Sequence, residues 1–302
     1  MSSHLTAVLQ GLFVVFLWGT SWVFVKIGLQ AMPPLTFAGM RYGFAFVFLL
    51  AAMSFKNTKT EFRNMPRHVW WRLLGLGILF YAGTQGAIFV ALAYLPAVTV
   101  NLLWSFSSIF VALLGVIWLS EKPTLLQWGG IFLAVIGALI YFYPMEIPKG
   151  QTIGVIVALM GILANAASSI LGREINRSEK HHALVVTVVS MGAGSIVLLV
   201  TGLVMEGLPV IDLQSWSIIA WLALVNTAFA FTLWNHTLRT LTAMESSVIN
   251  GTMLIWIPVL AVVFLGEKIT GKEVLGLVAA GLGTLIVQLR LPLKKKTLIS
   301  AE

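Results

Sequence analysis

Asn101, Trp104, Ser105 and Ser108 fall on one face of a helix, because positions three and four apart align along it. Tyr81, Thr84 and Gln85 do the same in the preceding apolar run, and Asn165, Ser168 and Ser169 in a later one. Asn226 and Trp234 stand at helical spacing further on, followed by Asn235, His236 and Asn250. Amides and hydroxyls both donate and accept. Rows of them in apolar helices can hold a carboxylate and an ammonium alike without trapping either, or they can bond helix to helix for about 1 kcal/mol each. As a candidate substrate lining we take Tyr81, Gln85, Asn101, Trp104, Ser108, Asn165, Ser168, Asn226 and Trp234, with the deep tryptophans Trp18, Trp22 and Trp256, whose rings could stack on an aromatic substrate or close over it.

Arg41 and Lys26 are the basic residues that fall within apolar runs. A charge at the centre of an inserting helix costs roughly 2.5 to 3.5 kcal/mol. Lys26 stands near a run end, where snorkelling explains it. Arg41 lies about two turns deep, and either holds a substrate carboxylate or braces backbone carbonyls. No Asp or Glu stands in the middle of a run: Glu121, Glu245 and Glu267 are all at ends. Catalysis finds nothing to work with, since there is no carboxylate pair, no base-activated nucleophile and no Cys for thiol or thiolate chemistry. His181 and His182 are adjacent, so on a helix they point about 100° apart, and no third metal ligand is near. No phosphate-cradling glycine loop is present. The sequence is therefore expected to need no cofactor or metal.

The elements that must position these groups follow from composition. Of 302 residues 59% are hydrophobic and 10% charged, with mean hydropathy +0.95. A water-soluble fold cannot hide so much apolar surface, so the expected class is an all-α integral membrane protein. Ten transmembrane helices are predicted, near 5–28, 34–54, 72–92, 97–119, 125–143, 151–172, 183–205, 215–236, 244–265 and 273–290. The first is longer than a signal-peptide core and lacks a small-residue cleavage site, so it is read as retained. Placing the N-terminus inside puts fourteen of the nineteen basic residues on the cytoplasmic side, the bias that sets topology. Both termini are thus expected in the cytoplasm. The net charge of +8 is then a membrane-side bias with no call for nucleic acid.

Ile117-Trp118-Leu119-Ser120-Glu121-Lys122 pairs with Val263-Phe264-Leu265-Gly266-Glu267-Lys268 at a constant shift of 146, and Thr124, Gly130 and Gly137 meet Thr270, Gly276 and Gly283. Two five-helix units, 1–146 and 147–292, precede a basic tail, 293–302. Five is odd, so the second unit enters the membrane upside down. Such 5+5 inverted repeats place a central cavity at their interface. Gly129, Gly130 and Gly137 in the fifth helix, and Gly276, Gly281 and Gly283 in the tenth, predict close helix contacts, with a homodimer face as one use.

Phe16 to Trp22, Pro34 followed by Arg41, and the helix ends Glu121-Lys122 and Glu267-Lys268 together resemble the EamA-like exporters of the drug/metabolite transporter superfamily, over nearly the whole chain. That resemblance implies an inner-membrane carrier moving small metabolites, commonly amino acids, outward. Overall similarity is greatest to the aromatic amino-acid exporters. Many members carry a proline about thirteen residues before the helix-end glutamate, where this chain has Ser108 and Leu254, with Pro258 a turn later. Neutral path residues and the lack of mid-span carboxylates lead to an expectation of facilitated export of zwitterions. The alternative is proton-coupled export of other solutes or drugs.

Overall fold

The computed structural model describes residues 3–54, 65–119, 124–144, 149–177, 183–238, 240–241 and 243–288. Glu121-Lys122, the His181-His182 pair, the 293–302 tail and the basic residues Lys56, Lys59, Arg63, Lys180 and Arg239 lie outside them. All regular structure among the described residues is helical. In hydrocarbon every backbone N–H and C=O needs a partner within its own segment, and a helix supplies it.

In chain order the helices are α1 (Ser3–Gly28), α2 (Pro34–Ser54), α3 (Arg67–Tyr94), α4 (Ala97–Ser105 and Ser107–Leu119), α5 (Leu125–Phe142), α6 (Thr152–Arg177) and α7 (Ala183–Met205). They continue with α8 (Leu213–Ala223, Leu224–Phe229 and Ala230–Thr237), α9 (Ala243–Gly251 and Met253–Leu265) and α10 (Gly271–Gln288). Nine helices among the described residues are long and apolar enough to cross a membrane, and Ala97–Val111 is a shorter apolar helix.

The 146-residue shift that pairs the sequence halves also pairs their interruptions. α4 begins at Ala97 and breaks at Phe106, while α9 begins at Ala243 and breaks at Thr252. α5 and α10 begin at Leu125 and Gly271 and end at Phe142 and Gln288. Their starts carry matching caps. Thr124 and Gln127 form a reciprocal capping box, and Thr270 and Glu273 repeat it at 2.6 and 3.3 Å.

α3 and α8 both widen into a π-helical stretch, at Ile78–Gln85 and Leu224–Phe229. Widening removes the regular partner of a carbonyl, and a threonine five residues on replaces it in each case. Thr84 Oγ1 donates to Leu79 O at 2.9 Å and Thr227 Oγ1 to Leu222 O at 2.8 Å. Such wide turns commonly mark functional segments.

Packing exchanges partners between the halves: α1 lies on α8 and α9 of the second half, and α6 lies on α3 and α4 of the first. α2 pairs with α7, and α5 with α10. In the last pair backbones touch. A Cβ on Gly137 would sit 2.3 Å from Ala280 N, one on Gly276 2.7 Å from Gly137 O, and one on Gly283 2.4 Å from Ala134 N. Gly130 meets Gly283 O in the same way. Four of these glycines are thus spent on contacts inside one chain, while Gly129 faces open space.

Candidate functional site

The expected lining residues sort into three neighbourhoods. The first joins α1, α8 and α9. Trp18 lies 5.3 Å from the Trp234 ring and 5.4 Å from Phe231. Trp256 meets Phe16 edge-on at 5.2 Å and backs onto Gly19. Asn226, fully buried, directs its Nδ2 to Leu17 O and, at 3.2 Å, to Thr20 Oγ1. Because a carbonyl can only accept, the amide nitrogen must face it, and Oδ1 is left without a donor. Trp22 packs into the main apolar core.

The second neighbourhood joins α4 and α6. Asn165 Nδ2 donates to Ser107 Oγ at 2.5 Å, a helix-to-helix bond. Ser108 and Ser168 donate to carbonyls of their own helices, Ser105 O and Asn165 O. Trp104 lies against Gly161, where a Cβ would stand 2.7 Å from its ring. Asn101, a turn earlier and buried, keeps an unpartnered Nδ2.

The third joins α2, α3 and α8 around Arg41, which is 6% exposed. Its Nε donates to Thr227 Oγ1 at 3.2 Å, and its guanidinium carbon lies 5.1 Å from the Tyr42 ring centroid and 5.9 Å from that of Phe89. Tyr42 donates to Gln85 Oε1 at 2.8 Å and stands 5.4 Å from Tyr81. No carbonyl braces Arg41 among the described residues, which removes that half of its expected role. Sequence reasoning missed Tyr42, Phe89 and Thr227. Two are aromatics hidden in apolar runs, and the third gains its place from the π turn, which a 3.6-residue period cannot register.

A charged closure stands at one end of the bundle. Lys26 does not snorkel as expected: Nζ turns onto the end of α3, donating to Leu92 O and Leu95 O at 2.5 and 2.6 Å. Glu267, after α9, accepts from Ala97 N and Val98 N at the start of α4. Glu206, after α7, accepts from Leu35 N, Thr36 N and Thr36 Oγ1 at 3.1, 2.8 and 3.0 Å, capping α2. Both carboxylates come from the second half and both helix starts from the first.

Two apolar clefts of about 380 Å³ each lie elsewhere, against α7. One is lined by Gly39, Gly43, Phe46 and Ser195, the other by Trp71, Ile78 and Ala193. Neither touches a candidate residue, and neither offers polar chemistry. The orphaned polar atoms mark the better candidate, because buried groups normally find partners.

The EamA-like transporter family model matches residues 5–143 and again 152–289. A Salmonella typhimurium protein named "Probable amino-acid metabolite efflux pump" is 30% identical over 290 residues, covering 90% of this chain and 91% of its own length. An Escherichia coli protein of the same name is 26% identical, covering 88% and 89%. Bacillus subtilis YoaV, named an uncharacterized transporter, is 25% identical over 87% of this chain and 90% of its own. One solved crystal structure superposes with a TM-score of 0.66 at 17% identity, covering 93% of this chain and 97% of that one.

Proposed function

Because the chain belongs to the EamA-like transporter family, we propose that this membrane transporter exports small zwitterionic metabolites, amino acids with tryptophan, phenylalanine and tyrosine among them. Its two five-helix units, 1–146 and 147–292, open the path alternately from either side of the inner membrane, and both termini and the 293–302 tail are cytoplasmic. Lys26, Glu206 and Glu267 then stand at the outer end. Transport is facilitated, with no obligatory coupling ion.

One observation carries this reading: Trp18 Nε1, Asn101 Nδ2 and Asn226 Oδ1 are buried without partners among the described residues. Two are donors and one an acceptor, and all are neutral. Orphaned amide and indole atoms in otherwise apolar helices suit a cargo that brings both an acceptor and a donor group. The aromatic rings around Trp18 suit a ring on the same cargo. The names carried by the Salmonella and Escherichia relatives agree with the cargo class.

Counterflow of labelled tryptophan, phenylalanine, threonine and a cationic dye into liposomes holding only this protein tests the proposal, with and without an imposed pH gradient. Amino-acid flux indifferent to the gradient is expected. Flux that requires the gradient removes the uncoupled mechanism, and dye transport alone removes the amino-acid assignment.

A further inference from the structure

Resting on the export reading above, we infer that Arg41 and Gln85 form the site for the substrate's carboxylate, so that a free carboxylate is a condition of transport. Arg41 stands seven residues into α2, about 10 Å along the helix axis from Pro34. A buried cation in that place calls for an anion. Among the described residues no carboxylate pairs with it. Among the described residues its Nε is the one donor spent on protein, and the Thr227 hydroxyl that accepts from it is oriented by donating onward to Leu222 O. The two terminal nitrogens, the ends that bind a carboxylate side by side, have no protein acceptor among the described residues.

Gln85 adds to the same locus. Its Oε1 is taken by Tyr42, whose ring flanks the guanidinium. What remains is the amide Nε2, a donor. The Arg41 terminal nitrogens and the Gln85 amide nitrogen are thus all donors, which favours a ligand offering several acceptors. A carboxylate meets that condition and also balances the guanidinium charge, whereas an ester accepts without a charge and an ammonium or a hydroxyl brings donors of its own. Tyr42 and Phe89 wall the guanidinium and leave it little freedom to turn elsewhere.

The halves are unequal here. At the 146-residue shift that relates the two copies, the position matching Arg41 is Thr187, and α7 (Ala183–Met205) carries no Lys or Arg. The cation therefore belongs to one half alone. A cargo with distinct ends would lie with its carboxylate toward α2 and α3.

The test uses the full protein in liposomes loaded with labelled tryptophan, with exchange driven by tryptophan, indole-3-propionate, tryptamine or tryptophan methyl ester, and with chloride replaced by gluconate in a parallel arm. Tryptophan should drive exchange best, indole-3-propionate measurably, and tryptamine and the ester at least ten-fold less well. R41Q should lower exchange at least ten-fold and R41K should recover part of it. Gln85→Leu should raise the half-saturating tryptophan concentration several-fold. Tryptamine exchanging as well as tryptophan overturns the site, as does a folded R41Q with unchanged exchange. Exchange that requires chloride and ignores the carboxylate also overturns it, by making this a halide site. If the wild type carries no amino acid, the export reading fails, and the site is judged by thermal shift of purified protein. Stabilisation by indole-3-propionate but not tryptamine, lost in R41Q, then upholds it, and equal effects of the two probes overturn it.

Discussion

Glu267 and Ala97 stand 170 positions apart in the chain, yet the carboxylate of the first accepts the backbone N–H of the second at 2.6 Å. A negative group thus meets the positive end of α4, while Lys26 meets the carbonyl end of α3 across the same turn, the arrangement that helix dipoles favour. Each such contact is worth up to about 2 kcal/mol in partly buried geometry, and together they tie α1, α3, α4 and α9 at one end.

Loosening that end should expose the path. The natural chain has no Cys, so a single cysteine at Thr20, which lies beside Asn226, reports access to a membrane-impermeant maleimide. Glu267→Ala should speed labelling by up to about ten-fold, the population shift that roughly 1.4 kcal/mol produces. Adding Glu206→Ala, which removes the cap on α2, should speed it further. Unchanged labelling in the double variant would mean that these carboxylates only cap helices.

Thr227→Val removes the hydroxyl that holds Arg41. Hydrogen bonds to charged groups are worth roughly 1.5 to 3 kcal/mol. The half-saturating substrate concentration should rise about ten-fold or more in counterflow, with a moderate loss of thermal stability, about 1 to 3 kcal/mol, from the unpaired Leu222 carbonyl. A collapse of stability with no change in substrate dependence would assign Thr227 to the π turn alone.

Gly137→Val should be among the most damaging single changes, because its side chain would be built onto the backbone of α10 at Ala280. Overpacking of this kind costs about 1 to 3 kcal/mol, visible as a lowered unfolding midpoint in detergent. Gly129→Val, eight residues earlier in the same helix and facing open space, should leave that midpoint almost unmoved.

Asp212 caps α8 by accepting from Ser215 N at 2.8 Å. Hydrogen bonding from the Ser215 side chain, and then from its backbone, holds this carboxyl below its ordinary range. A depressed folded value means the cap stabilises above the unfolded pKa, about 3.9, and is lost as pH falls through the folded one. Asp212→Asn keeps a capping oxygen without the charge, so its thermal stability should fall less than the wild type's on acidification below about pH 4.

The family, the helical class and the repeat were legible in the chain because each leaves a local record. Apolar runs of about twenty residues announce spans, and Glu-Lys helix ends recurring at a shift of 146 announce two copies. The spacing of polar residues along the apolar runs was readable too, but not the π-helical widening at Ile78–Gln85 and Leu224–Phe229, which resets the faces of Tyr81, Gln85 and Asn226. Which of those groups spend their hydrogen bonds was not readable. Asn165 turned out to be tied to Ser107 and Asn226 to Leu17, while Asn101 keeps its amide nitrogen free.

Tertiary structure alone decided the rest. It turned Lys26 inward, set Glu206 and Glu267 on helix starts about 170 positions away, and spent Gly130, Gly137, Gly276 and Gly283 within one chain. It also widened α3 and α8 so that Thr227 faces Arg41. A hydrogen-bond partner is chosen by distance in space, and in a bundle that exchanges partners between its halves, distance in space has no counterpart in spacing along the sequence.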